Sequence, residues 1–437
     1  MSRKWTVIAT ALLLICTHAR ASEQVLRAET PVFADSYGTS VAIDGPLAVV
    51  GMPGDDTIAN DAGAAYVYEQ TTMGWTLLQT FYGANADDQF GYSVAVVAGH
   101  ERLGVDDVVA VGSVNGPGVL DHTGNVTMYR RSAPAATFSY EQIVSSDESQ
   151  NYDSFGYAIA LDLSVPSDST SGVPVFTLAV TAPTDYIVNV GPDVGSVYVF
   201  QGPPTGLGGW GPITKVVPGD LVGGDELGHS LDISGDFIIA GATGWPYGNN
   251  PEGVAYLIRR FYDTGSGAFN WALNSRLKAS DGASGDQFGA RVAIDGGVPV
   301  VAAPHADNGG GEGAVYVFCC KTSVGYDLTE SSKIAAPDPH NRTNFGSVLD
   351  IDKGLVIVGD ATYPGYLDVF HADMTGTWSW SFSETTAISD PDANRADALA
   401  LSVPNAIAGD PFHNGGGAAH IITDNILNDP IFRAGFE

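Results

Sequence analysis

Positively charged residues are scarce in this sequence. Its 437 residues include 19 lysines and arginines against 50 aspartates and glutamates, which gives a formal net charge of −31. Proteins that bind nucleic acid or anionic lipid need basic surface, because phosphate groups must be neutralised on binding. The charge balance therefore argues against nucleic acid and against an anionic membrane surface as partners.

Cysteine is also scarce, with three residues in the chain. Cys16 lies in an N-terminal segment that we expect to be removed, which leaves the adjacent pair Cys319 and Cys320. Neighbouring residues on a strand point to opposite faces, and a bond between them needs a strained ring. We therefore predict two thiols here and no disulfide framework.

Long hydrophobic runs are absent beyond the N-terminus. Two basic residues precede an apolar run over residues 5–16, which is shorter than the ~20 residues that span a bilayer. A small-x-small pattern ends at Ala21, as signal peptidase requires. We predict a signal peptide over residues 1–21, cleavage between Ala21 and Ser22, and an exported protein that is extracellular, at the cell surface or periplasmic.

Recognisable catalytic motifs are absent as well. The sequence has no Gly-x-Ser-x-Gly, no His-Glu-x-x-His, no phosphate-binding loop and no paired-cysteine zinc pattern. It therefore does not indicate an enzyme, although the many acidic residues leave open a pair of carboxylates of the kind that glycosidases use.

Glycine is abundant, with 54 residues, and it marks a repeated unit. The unit opens with an aspartate, an aromatic residue and a glycine, as in Asp286-Gln-Phe-Gly289. Seven copies follow one another at spacings of 50 to 72 residues, and their glycine position is occupied by Gly38, Gly91, Gly156, Gly228, Gly289, Gly346 and Ala396. A recurring period of this length predicts a repeat architecture.

Each opening is followed by further segments that are typical of strands. The second segment is a short apolar run such as residues 237–241, and in several copies an Asp-Gly or Gly-Asp pair before it predicts a tight hairpin. Four antiparallel strands per unit make one propeller blade. We therefore predict an all-β fold, a seven-bladed β-propeller of four-stranded antiparallel blades.

The last unit ends after three strands, and the chain supplies the missing strand at its other end. Residues 23–28 precede Gly38 at the same distance at which residues 274–279 precede Gly289. We predict that this N-terminal strand completes the last blade, which hides strand edges. Residues 22–424 then form one propeller, followed by a C-terminal tail over residues 425–437.

The repeat resembles a known family. Asp286–Gly289, with Ala303-Pro304 after the second strand and Val315–Phe318 at the third, is similar to the FG-GAP repeat. That repeat builds the seven-bladed propeller of integrin alpha chains, and the tight hairpins here look most like its short bacterial form. The resemblance implies a binding or adhesion scaffold without catalysis. The integrin calcium ligands are not carried over, because the hairpins here are too short to hold them.

The variable loops hold the candidate binding residues. Two loops are rich in the oxygen ligands that calcium prefers, and the alternative for both is a solvated turn: Asp55, Asp56 and Asp61 in the first, and Asp307, Asn308 and Glu312 in the second. A third loop has aromatic and amide groups that suit a sugar: Trp245, Tyr247, Asn249 and Asn250. Calcium is the one cofactor these patterns suggest.

We therefore expect a monomeric secreted or surface propeller that presents a variable loop face to a protein or glycan ligand. Two alternatives stay open. One is an extracellular polysaccharide-acting enzyme with carboxylates at the propeller mouth, and the other is an envelope structural protein. The aspartate that opens five repeats, as Asp35 does, is predicted to accept backbone N–H bonds and to fix its turn.

Overall fold

The computed structural model is almost entirely β-structure. It describes residues 22–29, 32, 35–118, 122–134, 136–146, 153–169, 171–244, 252–265, 267–306, 312–319, 328–337, 344–360, 366–373, 379–387 and 396–423. Within these ranges 28 strands form seven four-stranded antiparallel sheets. The predicted seven-bladed propeller is therefore confirmed. None of the described helices has the length and the apolar character needed to cross a membrane.

The first three blades use strands β2 to β13 in chain order. Blade 1 contains β2 (Ser40–Asp44), β3 (Leu47–Met52), β4 (Ala64–Thr71) and β5 (Gly74–Tyr82). Blade 2 contains β6 (Phe90–Val97), β7 (Asp107–Ser113), β8 (Asn125–Arg131) and β9 (Ser139–Val144), with the short helix α1 (Gly99–Leu103) between its first two strands. Blade 3 contains β10 (Ile159–Ser164), β11 (Val175–Ala182), β12 (Ser196–Gly202) and β13 (Gly211–Val216).

The next three blades continue the same order. Blade 4 contains β14 (Leu227–Ser234), β15 (Phe237–Ala242), β16 (Val254–Asp263) and β17 (Ala268–Leu277). Blade 5 contains β18 (Arg291–Asp295), β19 (Val298–Ala303), β20 (Ala314–Cys319) and β21 (Thr329–Ala335). Blade 6 contains β22 (Val348–Asp352), β23 (Leu355–Gly359), β24 (Tyr366–Asp373) and β25 (Ser379–Ala387).

Blade 7 is built from both ends of the chain. It contains β26 (Ala398–Ser402), β27 (Asn405–Asp410) and β28 (Ala418–Thr423), and its outermost strand is the N-terminal β1 (Ser22–Leu26). Glu23 pairs with Ile422 in this register. The Gln24 side chain also exchanges two hydrogen bonds with the main chain of Trp75 in blade 1, at 2.7 and 2.8 Å. The predicted closure by the N-terminal strand is therefore confirmed.

The aspartate that opens a repeat fixes the turn before the first strand, as predicted. Asp35, Asp88, Asp225 and Asp286 each accept the backbone N–H of the residue three positions earlier, at 2.8 to 3.1 Å. The residue two positions later, which is aromatic except for Leu227, is buried. Phe288, for example, packs edge-on against Tyr316 and Phe318 of the third strand of its own blade.

Backbone hydrogen bonds join neighbouring blades where this buried residue meets the preceding blade. The backbone N–H of Phe90 donates to the carbonyl oxygen of Ala62 at 3.0 Å, and equivalent bonds recur at other junctions, as at Phe155 and Phe288. The residue after Ala62 is Gly63, at φ +83°, and a Cβ added there would lie 2.1 Å from the oxygen of Phe90. Glycine is therefore required at this contact by both conformation and space.

The cysteine prediction needs a correction, because Cys319 is disulfide-bonded. The prediction of two thiols assumed a strand running through both residues of the pair. Strand β20 ends at Cys319, so the alternation of side chains does not extend to the next residue. The other two cysteines of the chain, Cys16 and Cys320, lie outside the described residues.

Candidate functional site

The ring encloses an axial channel that is lined by the first strand of every blade and has a volume of about 710 Å³. We call the end where these strands begin the upper mouth and the opposite end the lower mouth. In each repeat the residue after the turn glycine lies at the upper mouth and is partly exposed; in the seventh repeat Ala396 takes the place of the glycine. These residues are Thr39, Tyr92, Tyr157, His229, Ala290, Ser347 and Asp397. These positions project from a rigid scaffold and differ from blade to blade.

Three of these positions form an arc of aromatic rings. The ring centroids of Tyr92 and Tyr157 are 5.4 Å apart, and those of Tyr157 and His229 are 5.5 Å apart. Burial and the neighbouring Tyr157 raise the pKa of the Tyr92 phenol, so this hydroxyl stays protonated at neutral pH. Blades 2, 3 and 4 therefore present a continuous, uncharged aromatic surface beside the channel opening.

Arg291 ends this arc. It occupies a position where the other blades have serine, alanine or valine, and its Nη1 donates to the carbonyl oxygen of Ala290 at 2.9 Å. Within the described part of the chain Arg291 forms no ion pair with a carboxylate. Burial, and then the charge of Arg291, lower the pKa of His229. The upper mouth thus combines a neutral histidine with a guanidinium that forms no ion pair among the described residues, in a space that Asp397 also lines.

Polar side chains surround Arg291. A cavity of about 220 Å³ beside it is lined in part by Gln287, His305, Asn344 and Ser347, from blades 5 and 6 and the turns before them. A second space of about 210 Å³ extends across the mouth to the two tyrosines. This arrangement suits a ligand that offers a flat face for stacking, hydroxyl groups for hydrogen bonds and one negative charge.

The lower mouth is built differently, because its carboxylates join the blades to one another. At six of the seven junctions a side chain at the end of the first strand accepts a backbone N–H from the next blade, at 2.8 to 3.2 Å: Asp44, Asp162, Ser234, Asp295, Asp352 and Ser402. Blade 2 has Val97 at this position. Arg102, on α1, lies 3.7 Å from both Asp44 and Asp162 and so connects the blades on either side.

Two further aspartates line the channel at a position where the other five repeats have alanine. Asp232 accepts the N–H of Ile294, and Asp350 accepts the N–H of Leu401, so each caps the next blade. Burial raises the pKa of Asp232 to about 7. Burial and the charge of Asp232 raise the pKa of Asp350 well above its usual value.

Asp232→Asn is expected to remove a pH dependence of stability. Between about pH 4 and pH 7 the folded protein keeps a proton on Asp232 that the unfolded chain has released, so stability falls as the pH rises through this window. The variant should unfold a few degrees above the wild type near pH 8, because it buries no charge there and the Asn oxygen can still accept the N–H of Ile294, one of the two that Asp232 accepts. Thermal unfolding at about pH 5 and pH 8 measures this.

Asp162→Asn is the matched control, because Asp162 lies in the neighbouring blade 3 but faces Arg102. It should gain no stability near pH 8. A loss of stability in Asp232→Asn at that pH would contradict the interpretation.

The predicted calcium residues of the first acidic loop bond within their own loop. Asp55 is buried and accepts the N–H of Thr57 at 2.9 Å, while Asp56 accepts the N–H of Asp61 at 2.8 Å. Asp61 in turn accepts a bond from Asn60. The calcium site itself stays a prediction.

The other predicted site residues divide between described and undescribed parts. Glu312 is described and partly buried, and its backbone carbonyl accepts the N–H of Phe345. Ser22 is the first residue of β1. The remaining predicted residues lie outside the described residues: Ala21, Trp245, Tyr247, Asn249, Asn250, Asp307 and Asn308.

Sequence reasoning missed one cluster with metal-ligating side chains. In the described part of the chain, Asp410, His413 and His420 bring three possible ligand atoms within 4.8 Å of one another, and all three residues are buried. A signal was present, because His420 stands where four other repeats have a tyrosine in the third strand, as Tyr256 does in blade 4.

A comparison with protein families agrees with this architecture. The FG-GAP repeat matches residues 21–68 and 271–318. Each match begins at an outermost strand, β1 or β17, and continues into the third strand of the following blade. Both matches therefore cover the same part of the repeat. The first match gives β1 the position of an outermost strand, which is the strand that blade 7 needs to close the ring. Among curated proteins none matches the chain significantly.

Proposed function

We propose that this chain, a seven-bladed propeller of FG-GAP repeats, is a binding protein whose ligand docks at the upper mouth. This fold often serves as a ligand-binding or adhesion domain. The observation that carries the proposal is the arc of Tyr92, Tyr157 and His229 beside Arg291. Repeat scaffolds place variable residues on a binding face, and these positions vary around the ring.

The side chains favour a short oligosaccharide that carries one carboxylate. Tyrosine rings stack on the apolar faces of sugars, and the amides of Gln287 and Asn344 can bond to hydroxyl groups. The guanidinium of Arg291 can pair with a sugar carboxylate. A long polyanionic glycan is disfavoured, because a chain of net charge −31 repels it.

A glycan panel tests the proposal. The purified protein is incubated with neutral, singly acidic and polyanionic saccharides, and retention and released sugar are scored together. We expect retention of singly acidic oligosaccharides without release. Equal retention of neutral and singly acidic sugars would show that Arg291 does not recognise a sugar carboxylate. Binding of a protein partner, with no glycan retained, would replace the proposal with an adhesion or envelope structural function.

Tyr157→Ala should reduce retention about 2- to 12-fold, because the central ring of the arc supplies the stacking surface. Tyr140→Ala is the matched control, since Tyr140 is a more exposed tyrosine on the outermost strand β9 of blade 2. Equal retention by the two variants would contradict docking at the upper mouth.

Trp245 and Tyr247 provide a separate test of the predicted sugar-binding loop. The described strand β15 ends, and β16 begins, at the upper face of blade 4. If the loop contributes, a double alanine variant should reduce retention without unfolding the protein.

The enzyme alternative keeps one specific observation in its favour. Asp232 and Asp350 are a pair of carboxylates with raised pKa values inside a channel, a pattern that is common at catalytic sites. Their bonds to the next blade already account for both residues. Release of sugar in the panel, and its loss in Asp350→Asn, would support hydrolysis over binding.

A further inference from the structure

The cluster of Asp410, His413 and His420 lies where the chain ends meet in blade 7. Asp410 is the last residue of β27, His413 begins a short 3₁₀ turn, and His420 lies on β28 opposite Val25 of β1. Glu23 lies on the same face of β1 as Val25 and contacts His420, and Arg27, just after the end of β1, contacts His413. The cluster therefore combines donors from two strands and a turn, with the closing strand directly beside them.

The hydrogen bonds of His420 prepare one nitrogen for a metal ion. Its Nδ1 donates to the carboxylate of Glu23 at 2.8 Å, because a carboxylate can only accept. In the neutral ring Nε2 then keeps its lone pair, and this buried atom has no hydrogen-bond partner among the described residues. A histidine held by a carboxylate through one nitrogen and open at the other is the usual arrangement around protein-bound zinc.

Blade 7 departs from the repeat at this point. In blades 1, 3, 4 and 5 the residue equivalent to His420 is a tyrosine whose hydroxyl contacts an aspartate, as Tyr256 contacts Asp220 at 3.1 Å. In blade 7 an imidazole takes this place, and a second imidazole lies beside it with ring centroids 5.8 Å apart. The change replaces a structural hydrogen bond with imidazole nitrogens, a type of donor that can bind a metal ion.

We propose that Asp410, His413 and His420 form a binding site for a transition-metal ion of the zinc class, oriented by Glu23, which fastens the closure of the ring. Two imidazoles and one carboxylate match the donors that Zn²⁺ prefers, and three protein ligands leave one position open. Tetrahedral zinc needs donor atoms roughly 3.3–3.5 Å apart, so the 4.8 Å cluster has to contract by side-chain rotation.

Arg27 competes with the ion. Its Nη2 lies 2.7 Å from Nε2 of His413, and Nδ1 of that ring is 3.6 Å from Asp410. The Arg27 side chain is exposed, so it can rotate into solvent when an ion arrives. Removal of this positive charge should strengthen metal binding, which a purely structural role for the cluster does not predict.

Zn²⁺ titration of the chelator-treated, dialysed protein tests the site. The titration is run with millimolar Ca²⁺ and Mg²⁺ to saturate ordinary surface carboxylates, and bound zinc is measured by elemental analysis together with thermal unfolding. We expect one zinc per wild-type chain and a rise of a few degrees in the unfolding temperature. Asp410→Asn and His420→Ala should lose both effects.

Further variants keep the test decisive if His420→Ala fails to fold. Glu23→Gln should weaken zinc binding about 10- to 100-fold, and Arg27→Ala should strengthen it several-fold. His305→Ala is the control, because His305 lies in the corresponding loop of blade 5, outside the cluster. Absence of bound zinc in the wild type, or equal binding by Asp410→Asn, would overturn the proposal.

Discussion

Gly63→Ala is expected to destabilise the propeller by about 3–5 kcal/mol, one of the largest effects of any single methyl group in this chain. Two costs add. The backbone at Gly63 has φ +83°, which L-residues rarely adopt, and the added Cβ would lie 2.1 Å from the carbonyl oxygen of Phe90. The clash involves the main chain of the next blade, so rotation of a side chain cannot relieve it.

Gly206→Ala separates these two costs. Gly206 has φ +87°, almost the same as Gly63, but a Cβ there meets nothing within 4 Å. It should cost about 1 kcal/mol, from conformation alone. Denaturant midpoints of the two variants measure the difference, and equal losses would show that contact between blades 1 and 2 does not govern the stability of the ring.

Arg291→Gln is expected to weaken retention of a singly acidic oligosaccharide about 10- to 100-fold. A hydrogen bond to a charged group contributes about 1.5–3 kcal/mol, and within the described residues this guanidinium forms no ion pair, although Asp397 lines the same space. Arg102→Gln makes the same exchange at the lower mouth, where Arg102 pairs with Asp44 and Asp162. Retention should be unchanged in that variant, and an equal loss in both would point to net charge as the cause.

The propeller could be predicted from the sequence because its rules are local and repeated. The turn glycine recurs in six of the seven copies, and the aspartate and the aromatic residue each recur in five, so most copies need the same turn and the same buried ring. Closure by residues 23–28 followed from the distance to Gly38. The family match in the same phase and the pairing of β1 with β28 confirm that prediction.

The upper mouth was not predicted, although its signal was present in the aligned repeats. The residue after the turn glycine varies between copies, as Tyr157 and His229 show, while the glycine before it changes in one copy alone, and the residue that follows it is small or apolar except at Arg291. Whether such a position faces the axis depends on how seven strands pack around a channel. Periodicity within one strand does not contain that information.

The cluster of Asp410, His413 and His420 could not be predicted from the sequence, for a different reason. Glu23 and His420 are almost 400 residues apart and become neighbours only when the ring closes. Asp55 and Asp56 are adjacent in sequence, so a calcium site in their loop can be predicted without the fold, and it stays a prediction although both side chains also bond within that loop.

One measurement tests the central claim most directly, that Arg291 at the upper mouth recognises a sugar carboxylate. The affinities of wild type and Arg291→Gln are determined for an oligosaccharide with one glucuronate and for its carboxyl-reduced analogue. This cycle isolates the interaction between the guanidinium and the carboxylate. We predict a coupling free energy of about 1.5–3 kcal/mol. A coupling of zero, with the wild type binding both sugars equally, would contradict the account.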